Sequence, residues 1–264
     1  MDFLDLSGYD MLSFEEIFTK IANDIINRGI LKINGEEYIV CEIEFYLSIE
    51  NHIDPFIHGD KEQATIGNWY FHRQNGGSYK GGSFKGLDLT FGSSKKQSYG
   101  GILFRSIKEV HTGKILEGPC RIVDYILTKC GKSTIVDLVK DDLCKLLCFT
   151  MGNVRNEKVY KCPRVGLTLK NGTKEKEKYL MKNYRYLIHP NKIQKYKFGM
   201  ILNLYKNGTS CKDIASILET SLKNIEKYVG VYETTISKKD KINVKDYYKK
   251  KLSTSELCEL YSIL

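Results

Sequence analysis

The sequence has little proline and no long apolar run. With 4 prolines in 264 residues, 42% hydrophobic and 11% aromatic side chains, it can form a full core, which excludes a disordered or low-complexity chain. No stretch of about 18 consecutive apolar residues is present, and the first ten residues are acidic where a signal peptide is basic and then apolar. We therefore expect a soluble intracellular protein, cytoplasmic or nuclear, that is not secreted and has no membrane partner.

Paired cysteines are also missing. The eight cysteines include no Cys-x-x-Cys pair, and a chain of this length needs no disulfide scaffold, so we expect reduced thiols. Cys144 and Cys148 are four residues apart and resemble half a metal site, but no nearby pair completes it, which favours core thiols. Walker, Rossmann and zinc-deaminase signatures are absent as well, so the sequence predicts no catalytic metal and no cofactor.

Charge is plentiful but unevenly distributed. The net charge is +9, yet residues 1–60 hold 3 basic and 13 acidic residues, a net −10, and the other 204 residues carry +19. Basic later segments of this kind fit a surface that binds a polyanion. Solvated lysine faces with no partner fit the same charges equally well, because the chain is generally rich in lysine.

The first two elements follow from their periodicity. Residues 13–28 predict an amphipathic helix that begins with a capping box of Ser13 and Glu16 and ends at Gly29. A turn at Gly35 precedes a strand over 37–49, whose side chains alternate between an apolar and a polar face. The polar face is predicted to carry two carboxylates and two phenols: Tyr38, Glu42, Glu44 and Tyr46.

A long loop region is then expected from residue 52 to 86, ending in the run GGSYKGGSFKG. The later pattern predicts strands at 87–91, 101–107, 165–169 and 184–188, and helices at 121–130 and 136–148. The predicted fold class is α+β: a strongly bent antiparallel sheet or barrel with flanking helices at 1–195, and a small all-α module at 196–264.

The C-terminal module has the spacing of helices and turns that is typical of a helix-turn-helix. Three short helices are separated by turns at 207–208 and 220–221, and 222–229 would be the recognition helix. Its exposed polar residues Lys223, Asn224 and Lys227 are the candidate DNA contacts. A three-helix cap that touches no nucleic acid is the alternative, since this spacing is common in small helical modules.

Several segments over roughly 14–195 occur in the order of the alkyladenine (3-methyladenine) DNA glycosylase family. The series Glu44-Phe45-Tyr46-Leu47 resembles that family's Glu-Ala-Tyr-Leu strand motif, and His58-Gly59 follows it. The glycine-rich run falls where the family has its tyrosine-bearing hairpin. Later segments keep the order, namely Gly101 to Glu109, Glu117-Gly118-Pro119, Arg164-Val165-Gly166 and Tyr184-Arg185-Tyr186.

The resemblance implies a role for individual residues. Glu44 and Arg105 would be catalytic. Phe84-Lys85-Gly86 stands where the family wedges a tyrosine into DNA, and Gly92 stands where it has a base-gating asparagine. The implied substrate-binding residues are Tyr46, His58, Tyr79, Phe84, Gly92 and Val165, and the implied DNA-binding residues are Arg73, Lys80 and Lys85.

The residue types on this strand also suit the cleavage of an N-glycosidic bond. Cleavage of an N-glycosidic bond passes through an oxocarbenium-like sugar, which requires a carboxylate to activate water and an aromatic surface to hold the base. Glu44 suits the first role, Tyr46 on the same strand face suits the second, and Arg105 can orient Glu44. The alternative is that Glu44 is a salt-bridged carboxylate at a sheet surface, with Glu42 beside it.

The sequence thus predicts a monofunctional DNA glycosylase that acts as a monomer on duplex or single-stranded DNA and flips out a modified base for hydrolysis. Two alternatives stay open. One is a non-catalytic protein that binds nucleic acid with the same scaffold, and the other is a hydrolase of free nucleosides or small glycosides.

Overall fold

The computed structural model describes residues 2–9, 11–248 and 251–264. Contacts between residues divide the chain into two compact units. Unit 1 consists of Met1–Val159 and Tyr186–Ile188, and unit 2 of Tyr160–Arg185 and His189–Leu264. Residues 160–185 and 189–195, which were predicted to belong to the first domain, therefore group with the C-terminal helices in this division.

The fold class is α+β, as predicted. A strongly curled antiparallel half-barrel sheet carries flanking helices, and further helices follow at the C-terminus. No helix within the described ranges is both long and apolar enough to cross a membrane.

Unit 1 opens with the predicted helix. Helix α1 (Phe14–Arg28) begins at Ser13, whose side chain accepts from the Glu16 backbone N–H while the Glu16 carboxylate accepts from the Ser13 backbone N–H. Its apolar side buries six residues against the sheet: Ile17, Phe18, Ile21, Ala22, Ile25 and Ile26. The predicted helix start, capping box and helix end are confirmed.

Strand β1 (Gly29–Ile33) follows α1 with no intervening loop, and the sequence analysis did not predict it. Gly29 is the reason that both elements fit, because a Cβ there would lie 2.2 Å from the Phe149 ring and 2.3 Å from the Ile25 carbonyl oxygen. Asn34 and Gly35, with φ of 48° and 85°, then form a two-residue turn into β2 (Glu36–Ile49).

The remaining strands of unit 1 are β3 (His52–Ile53), β4 (Ile66–Phe71), β5 (Leu87–Phe91), β6 (Tyr99–Glu109), β7 (Ile115–Glu117) and β8 (Leu147–Met151). The β10 strand is Arg185–Leu187, and its Tyr186–Leu187 portion belongs to unit 1. The main path of the sheet is antiparallel, in the order β4-β5-β6-β2-β1-β8, with β3 and β10 paired to β2 and β7 paired to β6. The remaining helices of this unit are α2 (Pro119–Lys129), α3 (Ile135–Lys140) and α4 (Leu143–Leu146).

Two predicted elements were wrong in part and a third was wrong altogether. The expected loop region at 52–86 contains strand β4, where Gly67 and Asn68 interrupt the apolar alternation and a register shift accommodates them. The expected helix at 136–148 is two short helices followed by the start of β8. The expected strand at 165–169 is irregular backbone.

One face of the sheet forms the core of unit 1. The row Trp69–Leu89–Ile102–Phe45 crosses four strands through directly opposed residues, and opposed residues lie on the same face. Phe18 of α1 stacks on Phe45 with ring centroids 4.6 Å apart. Helix α1 therefore covers this face, and the polar residues of β2 lie on the other.

Unit 2 contains mostly helices. Its elements are β9 (Tyr160–Cys162), α5 (Lys174–Leu180), α6 (Lys197–Lys206), α7 (Cys211–Leu218), α8 (Leu222–Ile236) and α9 (Thr254–Ile263). Phe198 and Leu202 of α6 pack with Leu257, Cys258 and Tyr261 of α9 in its core. Three helices are present where the module was predicted, and Ser221 caps α8 at the start predicted from the sequence. The third helix was predicted at 222–229 and is longer, because it continues to Ile236.

Candidate functional site

The polar face of the unit 1 sheet gathers the ionisable side chains. Tyr70, Asp88, Leu103 and Glu44 are directly opposed on β4, β5, β6 and β2, so they form one row on a single face. A second row contains Thr90, Gly101 and Tyr46. This face therefore holds two polar groups of residues, separated by Leu103.

The first group, here called the carboxylate cluster, consists of Glu42, Glu44, Tyr46, Arg105 and Ser106. Arg105 Nε lies 2.9 Å from Glu42 Oε1 and 3.3 Å from Glu44 Oε1. The Tyr46 hydroxyl donates to Glu44 Oε2 at 2.8 Å, and the Ser106 hydroxyl donates to Glu42. Glu42 and Glu44 are both 0% exposed and Arg105 is 6% exposed, so the ion pairs of this cluster are shielded from solvent.

Two compensating irregularities in the strand pairing position Arg105. Val40 is opposite Ile107 and Glu42 is opposite Ser106, so Cys41 is an extra residue on β2. Ile43 is opposite Phe104, so Arg105 is an extra residue on β6. Local bulges of this kind re-aim a side chain, and here the guanidinium lies between two carboxylates of the neighbouring strand.

The charges in the carboxylate cluster stabilise one another. Burial alone would lower the pKa of Arg105, but the carboxylates of Glu44 and Glu42 outweigh it and the net shift is upward. Arg105 thus stays cationic and holds both carboxylates in fixed orientations. Glu44 is salt-bridged with Glu42 beside it, as the alternative reading expected, but its carboxylate is buried and does not lie at a sheet surface.

The second group, here called the histidine cluster, consists of His58, Asp60, Gln63, Tyr70, His72, Lys80 and Asp88. Tyr70 donates to Asp60, and His58 Nδ1 lies 2.9 Å from the Tyr70 oxygen. Since a carboxylate accepts only and the phenol proton is engaged there, the Nδ1–H of His58 donates to Tyr70. His58 Nε2 therefore accepts from Lys80 Nζ at 2.9 Å.

His72 and Asp88 form the other half of the histidine cluster. His72 Nε2 lies 2.8 Å from Asp88 Oδ1, and Gln63 Nε2 donates to Asp88 Oδ2 at 3.1 Å. The His58 and His72 rings meet edge to face with centroids 4.4 Å apart. Asp88 is 2% exposed, so its carboxylate is held by both partners away from solvent.

Desolvation lowers the pKa of His58 to about 4, and the neighbouring His72 and Lys80 act in the same direction. Burial, and then the bond to Asp60, raise the pKa of Tyr70. At neutral pH His58 is therefore a neutral imidazole and Tyr70 a protonated phenol, which agrees with the direction of the hydrogen bonds.

Glycines make room for the histidine cluster. A Cβ at Gly101 would lie 2.5 Å from Asp88 Oδ2 and 2.8 Å from Gln63 Nε2, and one at Gly86 would lie 2.4 Å from the His72 ring. At Gly92 a Cβ would lie 2.1 Å from the Gln63 carbonyl oxygen. Gly92, the predicted base-gating position, therefore has space for backbone only.

The glycine-rich loop places the other predicted residues of unit 1. The Arg73 guanidinium lies 4.4 Å from the Tyr79 ring centre, donates to the Tyr79 hydroxyl and pairs with Glu62. Lys85 pairs with Asp124 of α2. Phe84 is 73% exposed, so it is the predicted contact of this loop with the largest solvent-facing apolar surface.

No known family profile matches this chain. It is 36% identical over 205 residues to the uncharacterized protein L759 of Acanthamoeba polyphaga mimivirus, an alignment that covers 69% of this chain and 91% of the viral protein. The chain belongs to the family of L759.

The alignment with L759 covers most of both proteins, but L759 is itself uncharacterized. Function is therefore inferred from the residues of this chain. Four of the predicted site residues lie in unit 2: Val165, Lys223, Asn224 and Lys227. Lys223, Asn224 and Lys227 are exposed on the first two turns of α8.

The sequence brought together Glu44, Tyr46 and Arg105 but did not single out Asp88, His72, Asp60 or Gln63. A signal for Asp88 was present, because this acid alternates with Leu87, Leu89 and Phe91 and so belongs to the polar face of the strand. Among the described residues, no group of three or more His, Cys, Asp and Glu side chains is arranged to hold a metal ion. The face offers two carboxylates paired with an arginine, and a histidine paired with an acid, which are groups suited to moving protons.

Proposed function

We propose that this protein is a DNA glycosylase that hydrolyses the N-glycosidic bond of a flipped-out modified base, with Glu44 activating the water. The observation that carries the proposal is the joining of Glu44, Arg105 and Tyr46 on one polar sheet face. These are the three residues whose types suit the reaction, and hydrogen bonds or ion pairs connect them.

The chemical roles follow from these contacts. Glu44 accepts a proton from water as the water attacks the anomeric carbon, and its negative charge stabilises the positive sugar that develops. Arg105 fixes the carboxylate, and the half-buried Tyr46 ring offers a surface on which a base stacks.

DNA contact is assigned to exposed residues. Phe84 on the loop tip inserts beside the vacated base, as apolar wedges do when they unstack a base step. Lys223, Asn224 and Lys227 of α8 contact the backbone, which makes binding fall steeply with salt.

The test uses modified-base duplexes and an assay for alkali-labile abasic sites. Glu44→Gln should bind DNA as the wild type does and excise bases at least about 100-fold more slowly. Glu50→Gln, an exposed glutamate beyond the end of β2, is the matched control and should be fully active. Phe84→Ala should weaken binding and leave the fold intact. Excision by Glu44→Gln at the wild-type rate would overturn the proposal.

One observation favours a second candidate, a hydrolase of free nucleosides. The polar face carries four carboxylates, Glu42, Glu44, Asp60 and Asp88, against the fixed cations Arg105 and Lys80, and excess negative charge suits a neutral glycoside better than a phosphate chain. Release of base from nucleosides but not from duplexes, with no response to Lys223→Glu and Lys227→Glu, would select this candidate.

A further inference from the structure

Unit 2 contains a cavity that the function proposed above does not use. It is lined by the first turns of α6 and α8 and by Thr254, the first residue of α9, and its volume is about 310 Å³. Small-molecule sites commonly measure about 300–1,000 Å³ and occur between the helices of bundles. The cavity therefore has the size and the place of a site for one small ligand.

Three aromatic side chains line this cavity: Tyr196, Phe198 and Tyr228. Phe198 is buried in the core of unit 2, while Tyr196 and Tyr228 are half-buried and pack against that core. The Tyr196 and Phe198 rings have centroids 4.6 Å apart. Half-buried rings offer a flat apolar surface to solvent, and such a surface is what a nucleobase stacks on.

Tyr196 keeps its place in the cavity wall in an unfavourable backbone conformation. Its φ of 61° and ψ of 37° lie in the left-handed region, which bulky side chains avoid. Strained residues of this kind cluster at ligand sites, where the surrounding structure holds them. A glycine or asparagine would adopt this turn with less strain, but neither would place an aromatic ring beside Phe198.

Asn224 adds a directional hydrogen-bonding group. It is four residues from Tyr228, so both lie on one face of α8, and both line the cavity. The backbone N–H of Asn224 donates to the Ser221 cap, but its side-chain amide is hydrogen-bonded to no residue within the described ranges. An asparagine amide donates to N7 and accepts from the N6 amino group of adenine at the same time.

The charges around the cavity suit a phosphate. Lys197 lines it, and Lys227 Nζ lies 6.0 Å from the Tyr228 ring centre. None of the lining residues that the structure describes is acidic. A phosphate attached to the bound base would therefore meet ammonium groups and no carboxylate at the cavity wall.

We propose that this cavity binds one adenine nucleotide, whose base stacks on Tyr228 and is recognised by the Asn224 amide. A free nucleotide and an unstacked adenine within a single strand both present this chemistry. The site is independent of the reaction assigned to Glu44. It gives Asn224 a base to contact instead of the DNA backbone, and leaves the backbone to Lys223 and Lys227.

The experiment measures binding of AMP, UMP and 7-deaza-AMP by calorimetry. A carbon replaces N7 in 7-deaza-AMP, so the base still stacks but cannot accept from the amide. The wild type should bind AMP about tenfold more tightly than 7-deaza-AMP, since that is the discrimination expected of one bidentate amide contact. UMP should bind more weakly still.

Asn224→Ala should bind AMP no more tightly than 7-deaza-AMP. Tyr228→Leu should weaken the binding of both purine nucleotides at least about fivefold, because the stacking surface is lost. Glu226→Ala is the matched control, since this exposed residue lies on the opposite side of α8 from Asn224. It should keep the full preference for AMP.

An oligothymidylate with one central adenosine, compared with the all-thymidine strand, distinguishes the two sources of the base. A preference for the adenosine strand that Asn224→Ala removes identifies a strand as the ligand, and a preference confined to AMP identifies the free nucleotide.

Equal binding of AMP and 7-deaza-AMP by the wild type overturns the proposal. A preference for AMP that survives in Asn224→Ala overturns it too, because the base would then be recognised elsewhere. Failure of both AMP and the adenosine strand to bind has the same meaning. Asn224 is exposed, so its variant decides the matter if Tyr228→Leu does not fold by circular dichroism. None of these outcomes bears on base excision by Glu44.

Discussion

The carboxylate cluster and the histidine cluster lie on the same sheet face but are built differently. Glu42, Glu44 and Arg105 all belong to the central strands β2 and β6, and solvent hardly reaches them. His58, Asp60 and Lys80 come from loops, and His58 is exposed. The first cluster is held by opposed full charges. The second is held by two hydrogen-bonded series, Lys80–His58–Tyr70–Asp60 and His72–Asp88–Gln63.

The difference indicates that the two clusters have different roles. A buried ion-pair cluster keeps one geometry and tolerates little change, which suits a carboxylate that must meet a water at a fixed point. Loop-borne groups at a solvent edge adapt more easily to a ligand. We therefore expect substitutions in the carboxylate cluster to affect the fold most, and those in the histidine cluster to affect pH response and substrate choice.

The largest effect should come from Arg105→Met, which leaves two buried carboxylates without this cation. Breaking a buried pair from one side costs about 3–5 kcal/mol of unfolding free energy. Denaturant unfolding followed by the fluorescence of Trp69, the single tryptophan, reports on unit 1.

Arg28→Met is the control for this measurement, because it removes an exposed pair with Asp24 within α1. It should cost at most about 0.5 kcal/mol. Equal losses of unfolding free energy in the two variants would show that the charges of the carboxylate cluster are not shielded from solvent. The contrast between the two clusters would then be wrong.

An intermediate effect is expected from Gly101→Ala. The new Cβ would collide with Asp88 and Gln63, and overpacking of this kind costs about 1–3 kcal/mol. The same substitution at Gly81, where a Cβ meets nothing within 4 Å, should stay within about 0.5 kcal/mol. Denaturant unfolding followed by Trp69 fluorescence measures the stability of both variants. An unchanged unfolding free energy for Gly101→Ala would mean that the Asp88 side chain has room to move.

The smallest effect concerns pH. The pKa of His58 is lower in the folded chain than the usual 6.5 or so of an unfolded one, so its contribution to stability is complete above that value. It is lost as the pH falls towards 4. His58→Gln should therefore melt closer to the wild type at pH 4.5 than at pH 7.5, by about 2 °C at most, because solvent reaches part of this residue and screens its charge. A gap that widens in acid would reverse the sign and refute the assignment of a neutral His58.

Only part of the two clusters could be predicted from the sequence. The alternation along β2 predicted the face shared by Glu44 and Tyr46, because strand periodicity is local. The pairing of His72 with Asp88 depends on β4, whose alternation is interrupted at Gly67 and Asn68. The position of Arg105 between the carboxylates depends on two bulges, which arise from packing between strands and leave no local signal.

Because α1 joins β1 directly at Gly29, we expect the N-terminal segment of unit 1 to fold early. Since α1 ends where β1 begins and a two-residue turn leads into β2, residues 14–49 form a helix and a hairpin through contacts between near neighbours in the chain. Local contacts close at a small entropic cost and tend to form early. Glu42 and Glu44 are thus carried on the segment expected to nucleate unit 1, and Arg105, about sixty positions later, docks onto carboxylates that are already in place.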